Sequence, residues 1–311
     1  MKTSRQDWTT TTARPTGVLV GDDGTRHSRR VVELAVDEAD RLGLPLTVLV
    51  VAHPVADPDR SMTAQRRDER AAVEEAGRLL DATLARARAR RPDRSVTGLL
   101  MVDPDETDLT DRLAECALVV VGSRGAAGHR VFSLGTTSRH LLRSAPCPVL
   151  VVPVDGAAPP DRRSGLVVVG LDDGPLGPLV VREAAAAASP ARHVQVLHSY
   201  RRRQGETAEV ALARARAVCD EQVRRAGPDP QVRITRVLTS EPAAGALVRQ
   251  ASGGASLLVI GSRGPLALAG LTHDSVSRAV LEVMPCPVLV VPRSTQHRPA
   301  AAAPRAQLAG T

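Results

Sequence analysis

The chain has 311 residues, is 43% hydrophobic and 24% charged, and carries a formal net charge of +7. This composition is that of a folded globular protein, and the length suits two domains of ordinary size, each able to bury a core. Trp8, Phe132 and Tyr200 are the only aromatic residues, so the cores rest on Val, Leu and Ala, which argues against a stacking platform for single-stranded nucleic acid.

Nearly all of the positive charge is arginine, with Lys2 the only lysine, and it interleaves with acidic residues along most of the chain. That pattern reads as solvated helix faces, so nucleic acid is not the expected partner. The N-terminal stretch lacks the apolar core of a secretory signal, and no apolar run approaches the ~18 residues of a membrane helix. Cys116, Cys147, Cys219 and Cys286 form no CxxC pair and read as buried thiols, with no metal site. Together these features point to a cytoplasmic protein.

In chain order, Gly17–Gly21 is an apolar strand. Ser28–Leu42 has helical periodicity, with Val31, Val32, Ala35, Val36 and Ala39 on one side. Leu46–Ala52 is a continuous apolar run, as expected of a strand buried on both faces. A long Ala/Arg/Glu helix over Thr63–Arg91 leads to a strand at Val96–Val102 and a helix at Asp105–Cys116. Strands at Ala117–Val121 and Val149–Val152 flank a helix from about Thr136 to Ser144. The order then repeats through Leu166–Gly170, Leu176–Ala188, His193–His198, Thr207–Arg225, Val232–Leu238, Pro242–Ala251, Leu257–Ile260, Ser275–Val283 and Val288–Val291. Strands alternating with helices predict α/β domains, each a five-stranded parallel sheet covered on both faces.

The duplication is explicit. Val119–Val152 returns as Leu258–Val291, and Gly122, Cys147 and Pro153 recur as Gly261, Cys286 and Pro292 at an offset of 139. GVLVGDDG at Gly17–Gly24 returns as LVVVGLDDG at Leu166–Gly174, where Asp23 and Asp172 differ by 149. The expected organisation is an arm at 1–13, a first domain at 14–154, a linker at 155–164, a second domain at 165–293 and a tail at 294–311, with arm and tail disordered.

Doubly wound sheets bind ligands at the carboxyl ends of their strands, where the strand order reverses. In the first copy that rule selects the turn Asp22–Thr25 and the loop after the fourth strand. The loop spaces Gly122, two residues, Gly125, nine residues, then Gly135 before Thr136. Glycines let backbone N–H groups approach a ligand, and the helix opening at Gly135–Thr136 favours an anion through its free amides and dipole. Thr136 and Thr137 add hydroxyl donors and Arg124 a cation, which makes a phosphate cradle without the GK[ST] of a Walker A loop. Asp23, with Gly24 beside it, stands at the other end of such a ligand, where a carboxylate accepts from ribose hydroxyls.

These residues resemble the universal stress protein family in its tandem-domain form. Gly122, Gly125, Gly135 and Thr136 match that family's Gly-x2-Gly-x9-Gly-Ser/Thr nucleotide pattern. Asp23 matches its first-strand aspartate, and CPVLVVP at Cys147–Pro153 its closing strand. The resemblance covers about residues 14–293 and implies flavodoxin-like sheets in strand order 3-2-1-4-5. It further implies ATP with Mg2+ as cofactor, adenine near Val50–Val51, and a role in stress signalling rather than efficient catalysis. It also implies that the two closing strands cover each other in an intramolecular pseudo-dimer, with homodimers and unidentified protein partners possible. No residue is assigned a catalytic role, and ATP turnover is expected to be slow at most. The alternative is an interaction module of the same fold that works without nucleotide.

The second copy departs from the pattern. Asp172, Gly261 and Gly264 are kept, but Asp274 replaces the third glycine before Ser275. A carboxylate ~5 Å from a phosphate charge, at an effective dielectric of ~20, costs roughly 3 kcal/mol. The second copy is therefore expected to be a vacant or weak nucleotide site.

Overall fold

The computed structural model describes residues 14–54, 61–123, 138–139, 141–142, 145–153, 165–188, 193–262 and 276–293. These fall into two compact units, one reaching to residue 147 and one starting at 148.

The first unit is built on strands β1 (Gly17–Gly21), β2 (Leu46–Ala52), β3 (Val96–Val102) and β4 (Cys116–Gly122). All pair in parallel, β1 lying between β2 and β4 and β3 outside β2. Val18, Leu19 and Val20 are wholly buried, and β2 is buried at every position but Val51, as its unbroken apolar run predicted. Each such Leu or Val contributes ~1.5–3 kcal/mol by leaving water.

Helix α1 (Arg26–Leu42) starts two residues earlier than its periodicity suggested. Thr25 caps it by accepting from Ser28 N–H, and the helix ends at Gly43 in the left-handed conformation. Its buried face includes all five positions of the expected stripe. Helix α2 (Met62–Arg90) buries nothing before Ala76; Gly77, Leu80, Thr83, Leu84 and Ala87 then seat it on the sheet. Helix α3 (Glu106–Leu113) is shorter than expected. Its Asp105–Asp108 capping box fixes the start, and Cys116 belongs to β4, whose backbone pairing with Gly17 wins over helical propensity there.

The second unit contains β5 (Val149–Val152), β6 (Leu166–Leu171), β7 (His193–Ser199), β8 (Arg233–Thr239), β9 (Ala255–Ser262) and β10 (Val288–Pro292). Parallel pairing runs β8-β7-β6-β9-β10, the full 3-2-1-4-5 order within one copy. β5 joins this unit and runs antiparallel to β10, with Leu150 opposite Leu289. The two CPVLVV segments thus cover each other's edges, which removes an apolar edge strand from solvent.

Helices α4 (Gly177–Ala187), α5 (Ala208–Ala226), α6 (Ala243–Ser252) and α7 (Val276–Val283) complete the described residues of this unit. Cys116, Cys147, Cys219 and Cys286 are all buried, as expected, and none is in a disulfide. Among the described residues no helix is long and apolar enough to cross a membrane. The expected arm, linker and tail lie outside the described residues.

Candidate functional site

Strand β1 ends on two aspartates with opposite fates. Asp22 N–H donates to Leu49 C=O, continuing the ladder by one bond at 2.9 Å. Its side chain, 4% exposed, turns towards α2: Oδ2 accepts from Thr83 Oγ1–H at 2.6 Å and Oδ1 from Gly24 N–H at 3.0 Å. Arg86 Nη2 in turn donates to Thr83 Oγ1 at 2.7 Å. Asp23 stays exposed, and its Oδ1 accepts from Thr25 N–H at 3.1 Å and Thr25 Oγ1–H at 2.8 Å. That holds the carboxylate at the mouth of the turn.

Gly24 has φ +74°, and a Cβ there would stand 3.1 Å from Leu79 of α2. Its missing side chain therefore serves the close turn onto α2 as well as any ligand.

Register places the described candidates on one edge. Gly21 lies opposite Leu49, and Val20 opposite Val120. Asp23, Val51 and Gly122 therefore emerge at the carboxyl ends of three neighbouring parallel strands, the position such sheets use for ligands. Leu141, which follows the glycine loop in sequence, packs onto the end of β1, since a Cβ on Gly21 would meet its Cδ1 at 3.3 Å. Arg124, Gly125, Gly135, Thr136 and Thr137 lie outside the described residues.

In the second unit Gly170 pairs with Leu197, and Val169 with Val259. The same register puts Leu171 in the place of Asp22, Asp172 in that of Asp23 and Asp173 in that of Gly24. Leu171 is buried, so the carboxylate bond to the helix is lost here. Asp172, exposed like Asp23, accepts through Oδ1 from Gly174 N–H at 2.9 Å. Gln222 Nε2, on α5, donates to Gly174 C=O at 3.3 Å. Ser277 Oγ–H of α7 donates to Gly261 C=O at 3.1 Å, tying that helix to the end of β9. Gly264, Asp274 and Ser275 lie outside the described residues.

One residue at this edge escaped the sequence reading. His198 occupies the place of Val50, and its side chain is only 2% exposed. Its neighbours in the run HVQVLHS are mostly apolar, so periodicity reports burial and nothing more.

The loop after β7 is closed by charge. Arg214 forks onto Glu206 at 3.0 and 3.1 Å and donates to Arg201 C=O at 2.8 Å. Hydrogen bonds from Arg214 and from Arg203 N–H hold the Glu206 carboxyl down at about 2, and Glu206 in return raises Arg214. On the opposite edge of the sheet, burial and the charge of Arg233 push His193 below its ordinary value.

Doubly wound parallel sheets of this order define a Rossmann-like α/β class, and comparison with known proteins narrows it. The Universal stress protein family model matches residues 16–153 and again 165–292, and the chain belongs to that family as a tandem-domain member. It is 31% identical over 293 residues to a universal stress protein of Mycobacterium tuberculosis (Rv2005c), covering 89% of this chain and 97% of that protein. It is 27% identical over 299 residues to a second from the same organism (Rv2623), with the same shares covered. Among solved structures, a universal stress protein from Archaeoglobus fulgidus aligns with a TM-score of 0.68 at 18% identity, over 89% of this chain and 98% of that one. A likeness that distant shows the fold alone.

Proposed function

We propose that this chain is a stress-response protein that binds ATP, with Mg2+, in its first domain and acts as a nucleotide-dependent regulatory module. The observation that carries the reading is the convergence of Val51, Asp23 and Gly122 at one sheet edge, with Leu141 packed on the end of β1 beside them. Asp22 is withdrawn into the bond with Thr83, which leaves Asp23 as the carboxylate at the turn mouth able to accept from a ribose. The amides and hydroxyls of Gly122, Gly125, Gly135, Thr136 and Thr137, with Arg124, are assigned to the phosphates. The second domain is assigned a weak nucleotide site or none, because Asp274 brings a negative charge to the phosphate end. Neither domain is assigned a catalytic residue, and ATP hydrolysis, where it occurs, is slow.

Calorimetry with Mg-ATP on the full chain tests this. One site per chain is expected, and two equivalent sites, or none, would overturn it. The absence of any site would leave the nucleotide-independent interaction module.

A further inference from the structure

The loop leaving β7 carries three consecutive arginines on a fixed backbone. Arg201, Arg202 and Arg203 are all exposed. Adjacent like charges repel and favour an extended, loose segment. This loop is instead closed at both ends. Tyr200 N–H donates to Thr239 C=O at 2.9 Å, which anchors the exit from β7. Arg203 N–H donates to Glu206 Oε2 at 2.8 Å, and Glu206 N–H to Arg203 C=O at 3.1 Å. Arg202 Nη2 donates to Glu206 C=O at 3.3 Å, and Gly205 completes the turn at φ +78°. Arg214 of α5 clamps the loop through Glu206 and Arg201 C=O.

The loop's single carboxylate, Glu206, is thus neutralised by Arg214. Among the described residues Arg201 and Arg203 form no salt bridge of their own. Val210, one helical turn before Arg214 on the same side of α5, is 56% exposed. Arginine beside an exposed apolar side chain, on a backbone already ordered, is the composition of a protein interface.

We infer that the Arg201–Arg203 loop, with Val210, is a docking surface for a carboxylate-rich polypeptide segment of a partner protein. A guanidinium fork matches a carboxylate, and a loop that is already fixed loses little freedom on binding. Exposed carboxylates flank the loop: Asp173, within the electrostatic reach of Arg214, and Glu209 at the start of α5. A long phosphate backbone crossing the arginines would run onto these carboxylates, whereas a short acidic segment ends on the arginines. The first domain has His53, Pro54 and Val55 at the matching places, so the surface belongs to the second domain alone. It is independent of the nucleotide proposed for the first.

The test is fluorescence anisotropy of the tag-free full chain, without nucleotide, against a labelled oligoglutamate peptide at low salt. Binding is expected, and Arg201→Ser with Arg203→Ser should weaken it at least ~10-fold. Neither side chain holds a bond of the loop, so the melting temperature should match that of the parent. Arg216→Ser with Arg225→Ser removes the same charge from exposed positions elsewhere on α5 and should leave binding unchanged. Glu206→Gln raises the net charge but releases the loop, and should weaken binding as well. Absence of binding, equal weakening by both double variants, or tighter binding by Glu206→Gln would overturn the assignment. So would a DNA duplex of equal charge that binds the same arginines more tightly than the peptide.

Discussion

Asp22 Oδ2 and Thr83 Oγ1 meet at 2.6 Å across 61 residues of sequence, both of them buried. The bond ties the end of β1 to the middle of α2 and sets the direction in which the next residue, Asp23, must face. Removing it should therefore act on stability before it acts on binding. Asp22→Ala leaves a buried hydroxyl without its acceptor and should cost about 2 kcal/mol in chemical denaturation. Thr83→Val should cost a similar amount, and the double variant less than the two added together, because both singles break the same bond. Additive losses would show that the bond contributes little.

Asp23 behaves differently. It is exposed and, among the described residues, bonded within its own turn. Asp23→Ala should leave the melting temperature nearly unchanged while weakening Mg-ATP in the calorimeter, since an exposed turn contact contributes little to folding. A variant that melts early and binds normally would reverse these roles.

The departure at Asp274 makes a reciprocal test. Gly135→Asp should abolish ATP binding in the first domain by placing a carboxylate against the phosphates, a loss of about a hundredfold or more. Asp274→Gly should raise affinity in the second. Equal binding by the parent chain and both variants would remove the phosphate end from this loop.

Acid should destabilise the second domain in two separate windows. His193 has a folded pKa below 6.5, so its neutral form, bonded to Thr235 Oγ1 at 2.6 Å, is the one the fold prefers. Its contribution is complete above pH 6.5 and is lost as pH falls through the lower folded value. Glu206 is held at about 2 against an ordinary 4.5, so its contribution is complete above pH 4.5 and fades as pH drops towards 2. Urea midpoints measured against pH should flatten in the upper window for His193→Gln and in the lower one for Glu206→Gln. An unchanged profile in either variant would remove that residue from the acid response.

Cys219 is buried in α5, and burial raises its thiol above the ordinary value, with Arg236 pulling the other way. A thiolate is the reacting species, so labelling by an aromatic disulfide at pH 8 should be slow in the folded chain. In denaturant all four thiols should react. Rapid labelling of Cys219 in native buffer would mean that α5 opens readily.

Much of this molecule is a near-neighbour property and was legible in the chain itself. The alternation of strand and helix and the buried stripe of α1 follow from which residues stand one, two, three or four apart, and the duplication from laying one half of the chain on the other. The glycine spacing after β4 and the aspartate after β1 were legible in the same way, and with them the edge of the sheet where the nucleotide is proposed to bind. Tertiary structure decided the rest. Which of two adjacent aspartates is buried depends on Thr83, 61 positions from Asp22. That β5 runs antiparallel to β10 depends on two segments, Val149–Val152 and Val288–Pro292, whose apolar runs are nearly alike and carry no mark of direction. The meeting of His198 with Asp173 required β6 and β7 to lie side by side, for a histidine within an apolar run reports burial but not its partner.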